Sequence, residues 1–233
     1  MTAPSIAAGL KVLAGGSLTG PLNALAPLFE RASGHKLTIH FDSTPNLIKQ
    51  AMSEPFDVAV VPVDVFKNAD ARAAFAAGPT VDIARVGYSI AVKSGAPKPD
   101  IGTQGAFKEA LLKAPSIAFL PESAVGAYIL KVFERLGIAE AMKAKTKVAA
   151  TPSAIAPMVA KGEAELGIFL TNVLTAPGVD IAGPFPGELQ QDLVFAAGIA
   201  RSSAIAAAAK ALIDYLRSPE ARAVFAAKGM TAG

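Results

Sequence analysis

The run Phe56–Val61 (FDVAVV) is almost continuously apolar. A strand with one face in water alternates apolar and polar residues, so a run without alternation reads as a strand covered on both faces. Such a strand needs helices above and below its sheet, and the flanking sequence supplies them. A short strand at Lys11–Ala14 leads to a helix opened by Pro21 and stopped at Gly34, with Leu22, Leu25, Leu28 and Phe29 on one face. Pro27 interrupts the hydrogen-bond ladder inside it. Leu37–Phe41 alternates as a strand, and Thr44 as N-cap with Pro45 at the first helical position starts a second helix. Strand, helix, strand, helix, strand is an α/β plan with parallel strands.

A second set follows the long strand signal Val81–Val92. It comprises strand Ser116–Leu120, helix Val125–Leu136, strand Lys147–Ala149, helix Ala154–Lys161 and strand Leu166–Leu170. Leu193–Ala200 is another long strand signal, and helices Ala204–Leu216 and Pro219–Ala227 close the chain. Two similar α/β sets joined by two long strand-like segments predict two lobes with crossovers near residues 82–91 and 193–200. Lobe 1 is expected over residues 1–82 plus 199–233, and lobe 2 over residues 83–198, each a mostly parallel sheet flanked by helices with a hinge between them.

The 233 residues are enough for such cores, and 52% hydrophobic against 18% charged residues excludes a disordered chain. A net charge of +3 with scattered Lys and Arg gives no footprint for nucleic acid. The absence of cysteine excludes disulfides, thiolate metal sites and thiol nucleophiles. No apolar stretch reaches membrane-span length. Met1–Gly9 has neither the basic start nor the full apolar stretch of an export signal, so an exported form is expected to be the mature chain behind an added Met.

Four strand-to-helix junctions share one chemistry: Gly16-Ser17-Leu18-Thr19, Ser43-Thr44-Pro45, Glu122-Ser123-Ala124-Val125-Gly126 and Thr151-Pro152-Ser153. Each offers a hydroxyl beside the N–H groups of a first helical turn, which have no partner within the helix and carry partial positive charge. Such ends hold anions without Lys or Arg. In open α/β sheets ligands sit beyond the carboxyl ends of strands. Ser and Thr here also serve as plain N-caps. The pair Gly15-Gly16 lets the backbone approach something closely.

Other chemistries fit less well. Gly15 and Gly20 have the spacing of a phosphate loop, but Pro21 stands where that loop needs Lys. The G-x-S-x-G spacing of a nucleophile elbow fails. The two histidines lack a patterned carboxylate, so neither a triad nor a metal site is expected. His35 reads as a solvated loop residue, and His40 alternates away from Ile39 and Phe41. Asp57, Asp64 and Glu122 lie near strand ends, as capping or solvated charges.

The stretches VLAGGSLTGPLNALAPLFERASGHKLTIHF, STPNLIKQAMSEPFDVAVVP, SAVGAYILKVFERLGI and VAKGEAELGI resemble, in that order, molybdate-binding-protein-like solute receptors of bacterial ABC importers. The ending AKALIDYLRSPEARAVFAAKGM is similar to that family's last helices. The resemblance implies a type II periplasmic binding fold, a periplasmic location, a monomer, and an inner-membrane ABC permease as partner. It implies ligand contacts from Ser17, from Ser43 or Thr44, from the strand end at Pro62, from Val125 and from the Pro152-Ser153 turn. With the junction residues Gly16, Ser123 and Ala124 and the strand end Leu170-Thr171, these make the candidate site. No catalytic residue, metal or cofactor is assigned.

The chain departs from that family at three places. Gly16 replaces a small polar residue or alanine, Val61-Pro62-Val63-Asp64 replaces a Ser-Ala-Asp run, and Leu170 stands where the family has a tyrosine. The missing phenol removes a donor that a tetrahedral oxyanion uses, and Thr171 and Asn172 are the nearest replacements. The expected ligand is therefore a small anion in an interlobe cleft, either an oxyanion such as molybdate or tungstate, or an organic carboxylate. Some relatives with this fold are similar to aconitate isomerase. A cofactor-independent isomerase of a tricarboxylic acid is thus the alternative, with His40, Asp64 and Glu122 as base candidates. A sensory receptor for the same ligand is the third reading.

Overall fold

The structure is a computed structural model that describes residues 7–233. The reading that Met1–Gly9 lacks an export signal falls mostly outside the described residues. Two compact units share the chain. The first holds residues up to Arg85, Val194–Ala227 and Thr231–Gly233, and the second holds Val86–Leu193 and Lys228–Met230.

The first unit opens with β1 (Gly9–Gly15), a 3-10 turn over Gly16–Leu18, and α1 (Thr19–Ser33). Leu22, Leu25 and Phe29 of α1 are buried, and Gly34 ends the helix at φ 75°, a conformation that costs glycine nothing. Pro27 stays inside the helix, on its exposed face, where water can serve the orphaned Asn23 carbonyl. There follow β2 (Lys36–Asp42), α2 (Thr44–Ser53) and β3 (Val58–Pro62), whose five residues are all buried. Two short helices, α3 (Val63–Lys67) and α4 (Ala69–Ala73), lead to β4 (Val81–Val86). Here the core gathers Leu13, Leu47, Phe56, Val61 and Phe75, with Phe56 and Phe75 edge-on at 5.2 Å.

The second unit runs β5 (Tyr88–Lys93), α5 (Gln104–Lys113), β6 (Ile117–Phe119), α6 (Ala124–Arg135), α7 (Ala139–Lys145) and β7 (Thr146–Val148). A 3-10 turn over Pro152–Ala154 precedes α8 (Ile155–Lys161), then β8 (Leu166–Leu170), α9 (Thr171–Leu174) and β9 (Val179–Pro184). The chain returns to the first unit through β10 (Leu193–Ile199), α10 (Ala206–Leu216), α11 (Pro219–Ala227) and β11 (Thr231–Ala232).

The first sheet has the order β11-β4-β10-β3-β1-β2, and the second β7-β6-β8-β5-β9. Strand β1 pairs in parallel with β2 and β3, and β6 in parallel with β7 and β8. Antiparallel pairs flank these triplets: β10 on β3, β11 on β4, and β5 on β8 and β9.

Several expectations need correction. Val81–Val92 is two strands. The side-chain amide of Gln190 takes the place of a strand neighbour at Tyr88, accepting from its N–H at 2.9 Å and donating to its carbonyl at 3.0 Å, and the break falls at Gly87. Ser43, not Thr44, is the N-cap of α2. His35 is buried rather than solvated: its Nδ1 accepts the Ala8 N–H at 3.1 Å and its ring lies 6.1 Å from that of Phe29. The strand expected at Lys147–Ala149 is β7, displaced toward the N-terminus.

Candidate functional site

In the first unit the parallel triplet places three carboxyl ends along one sheet edge, with Gly15 in register with Asp42 and β3 ending at Pro62. Gly16 and Ser17, Ser43 and Thr44, and Pro62 therefore lie on neighbouring loops. The two glycines make room for the protein itself. A Cβ on Gly15 would meet the Phe195 ring at 2.8 Å, and one on Gly16 would meet the Asp42 carbonyl at 3.3 Å. The Thr19 hydroxyl donates to the Gly16 carbonyl at 2.7 Å and closes the 3-10 turn. The Ser43 side chain is exposed and makes no capping bond to α2. Pro62 is buried at the strand end.

In the second unit β7, β6 and β8 likewise end along one edge. The Ser123 hydroxyl accepts the Gly126 N–H at 2.9 Å and donates to the Leu120 carbonyl at 2.8 Å. It is a working N-cap with its donor already used. What remains for a ligand is the N–H pair of Ala124 and Val125 in the first turn of α6. The Val125 side chain itself is buried. The Thr151 and Ser153 hydroxyls lie 3.1 Å apart at the Pro152 turn. At the end of β8, Leu170 is buried, and the Thr171 hydroxyl is bound to the Gly87 carbonyl at 3.0 Å and to the Ser89 hydroxyl at 2.6 Å. Thr171 therefore faces inward to β5, and its hydroxyl is no substitute for a phenol.

No candidate residue in either set carries a positive charge. Among the described residues no group of three His, Asp or Glu side chains is placed to hold a metal, and no helix is long and apolar enough to cross a membrane.

The model of the bacterial extracellular solute-binding protein family matches residues 10–231. The chain belongs to this family. It is 34% identical over 221 residues to an aconitate isomerase of Pseudomonas sp, covering 91% of this chain and 83% of that protein. It is 30% identical over 230 residues to the molybdate-binding protein ModA of Azotobacter vinelandii, covering 96% and 90%. The solved periplasmic molybdate-binding protein of Azotobacter vinelandii superposes with a TM-score of 0.76 at 22% identity, over 96% of this chain and 99% of that one. The resemblance to molybdate-binding receptors thus holds, and so does the α/β fold.

In this solute-binding protein the residue that sequence reasoning passed over is Asp42. It closes β2, and its Oδ1 accepts the Ser43 N–H at 2.7 Å and the Asn46 side-chain amide at 2.8 Å. Its Oδ2 accepts from Gln50 Nε2 at 3.1 Å, and His40 Nε2 lies 3.5 Å away. Partial burial alone would raise its pKa, but hydrogen bonds from Asn46, Ser43, His40 and Gln50 outweigh that and hold it below the ordinary aspartate value. The only signal in the sequence was its place, one residue before a helix cap. Of the other acids, Asp57 accepts the Lys11 N–H and the Ser203 hydroxyl, and the exposed Asp64 pairs with Lys67.

Proposed function

We propose that this protein captures a small anion through uncharged donors and delivers it, in the periplasm, to the permease of an ABC importer. The observation that carries the reading is the repeated edge. In each unit three parallel strands end together, and a long helix, α2 or α6, starts there beside hydroxyls or free first-turn N–H groups. Helix starts attract negative charge, and hydrogen bonds to a charged partner contribute about 1.5–3 kcal/mol each. Several of them offset the dehydration of an anion without help from Lys or Arg.

Within that class the favoured ligand is an organic acid with more than one carboxylate. Two features weigh against a tetrahedral oxyanion: Leu170 offers no phenol, and the Thr171 hydroxyl is spent on Gly87 and Ser89. The 34% identity to an aconitate isomerase points the same way. The test is the melting temperature against molybdate, tungstate and a set of di- and tricarboxylates. A ligand at a hundred times its Kd adds about 2.7 kcal/mol, roughly 5–11 °C for a chain of this size. A shift with molybdate alone rejects the carboxylate assignment.

The same identity favours a second reading, cofactor-independent isomerisation of a tricarboxylic acid. A proton leaves a carbon next to one carboxylate and returns to another carbon, with no net change in composition. Incubation with aconitate, followed by proton NMR, decides it: a catalytic interconversion of isomers replaces pure binding.

A further inference from the structure

The turn between β2 and α2 already contains an anion of its own. Asp42 sits directly ahead of the positive end of a ten-residue helix and has taken the Ser43 N–H that a ligand would otherwise use. Its hydrogen-bond donors Ser43, Asn46 and Gln50 are neutral groups, and His40 Nε2 stands 3.5 Å from Oδ2. The carboxylate is a quarter exposed. Its Oδ1 lies 2.7 Å from the Ser43 backbone nitrogen, which puts the charge within short range of anything held at Ser43.

The two oxygens are not equally occupied. Oδ1 accepts two short bonds, at 2.7 and 2.8 Å. Oδ2 accepts one, at 3.1 Å, with the His40 contact long at 3.5 Å. A carboxylate oxygen accepts about two hydrogen bonds, so Oδ2 retains room for a donor. An oxyanion without a proton brings none and meets a like charge. A hydroxyl group brings the donor.

We propose that Asp42 is a specificity-determining residue of the first unit, selecting a carboxylic acid that carries a hydroxyl and rejecting tetrahedral dianions that carry no proton. The inference rests on the anion-binding reading above. It gives a carboxylate ahead of a helix start a role beyond holding the turn, one that a neutral acceptor at the same position cannot perform.

The experiment measures Kd by calorimetry for citrate, aconitate and molybdate on the wild type, Asp42→Asn and Ser43→Ala. Asparagine keeps one side-chain oxygen to accept from Ser43 and Asn46 but has no charge. The wild type is expected to bind citrate at least tenfold tighter than aconitate, which lacks the hydroxyl. In Asp42→Asn that preference falls to within about threefold, and molybdate gains at least tenfold, a loss of like-charge repulsion at short range. Melting temperatures of the unliganded proteins confirm that both variants are folded. If wild type and Asp42→Asn show the same order and ratios of affinity, Asp42 only holds the turn and the inference falls, while the anion-binding reading stands. If Ser43→Ala leaves every Kd unchanged, or no anion binds the wild type, the reading falls and the inference with it.

Discussion

Gly126 in the first turn of α6 lies so close to the strand that precedes it that a Cβ built on it would meet the Leu120 carbonyl oxygen at 1.9 Å. The obstacle is backbone, with Pro121 Cα at 2.7 Å behind it, so no rotamer change relieves the contact. Gly126→Ala must push the helix start off the strand end. Overpacking costs about 1–3 kcal/mol in a core that can yield, and a backbone obstacle belongs at the upper end. Scanning calorimetry is expected to show a melting temperature lower by about 6–12 °C.

The two serines that begin α2 and α6 look alike in sequence and are expected to behave in opposite ways. Ser123 spends its hydroxyl on Gly126 and Leu120, so Ser123→Ala should cost about 1 kcal/mol of stability. Its effect on ligand affinity should be under threefold. Ser43 makes no capping bond, so Ser43→Ala should leave the melting temperature within about 1 °C and weaken the bound anion by roughly tenfold or more, one hydrogen bond to a charged group. Calorimetric Kd values and melts on both variants check the pair. Equal effects on affinity would show that hydroxyl commitment in the unliganded chain does not predict ligand contact.

What the residue pattern reveals and what it hides divide along sequence separation. The alternation of β1, α1, β2, α2 and β3 follows from local periodicity and from Pro21 and Gly34, all within a few residues of what they control. The order strand, hydroxyl, helix start was legible for the same reason. The short helices α3, α4 and α7 have too few turns to show a period, and the five partly buried residues that begin β9 do not alternate. The break at Gly87 depends on Gln190, 102 residues from Tyr88. The burial of His35 depends on Ala8, and the inward turn of Thr171 on Gly87 and Ser89, more than 80 residues away. Hydroxyls were therefore visible as candidates, but whether each was already bonded was not.

Acid should destabilise the protein partly through Asp42 and Asp180. Asp180 accepts from the Gly95 N–H and the Ser94 hydroxyl, and these bonds lower its pKa against a small opposing effect of burial. Both groups have folded-state values below the ordinary 3.8. Their stabilising contribution is thus fully present above that value and is lost as pH falls through the folded ones. Urea midpoints are expected to be flat with respect to these groups between pH 5 and 7, on the order of a unit above the ordinary value, and to decline below about pH 4. Asp42→Asn should make that decline shallower, because one of the protons taken up on unfolding disappears. A slope unchanged by the substitution would mean the hydrogen bonds around Asp42 do not favour its charged form.

Thr171 tests whether the end of β8 is a ligand contact or a splint between strands. Its hydroxyl donates to the Gly87 carbonyl while the Ser89 hydroxyl, on a residue only 2% exposed, donates to it. Thr171→Val keeps the shape and removes both bonds; the Gly87 carbonyl retains the Thr171 N–H at 3.0 Å, and the buried Ser89 hydroxyl is left short of a partner. A buried group left unsatisfied costs about 1–3 kcal/mol, so the melting temperature should fall by roughly 2–12 °C. Thr171→Ser keeps the oxygen and should recover most of that loss. Anion affinity should change by less than threefold in both variants, since the hydroxyl is turned toward β5. If Thr171→Val instead weakens the anion tenfold with little loss of stability, the hydroxyl turns to the ligand on binding, and Leu170-Thr171 returns to the contact set that the strand-end pattern first suggested.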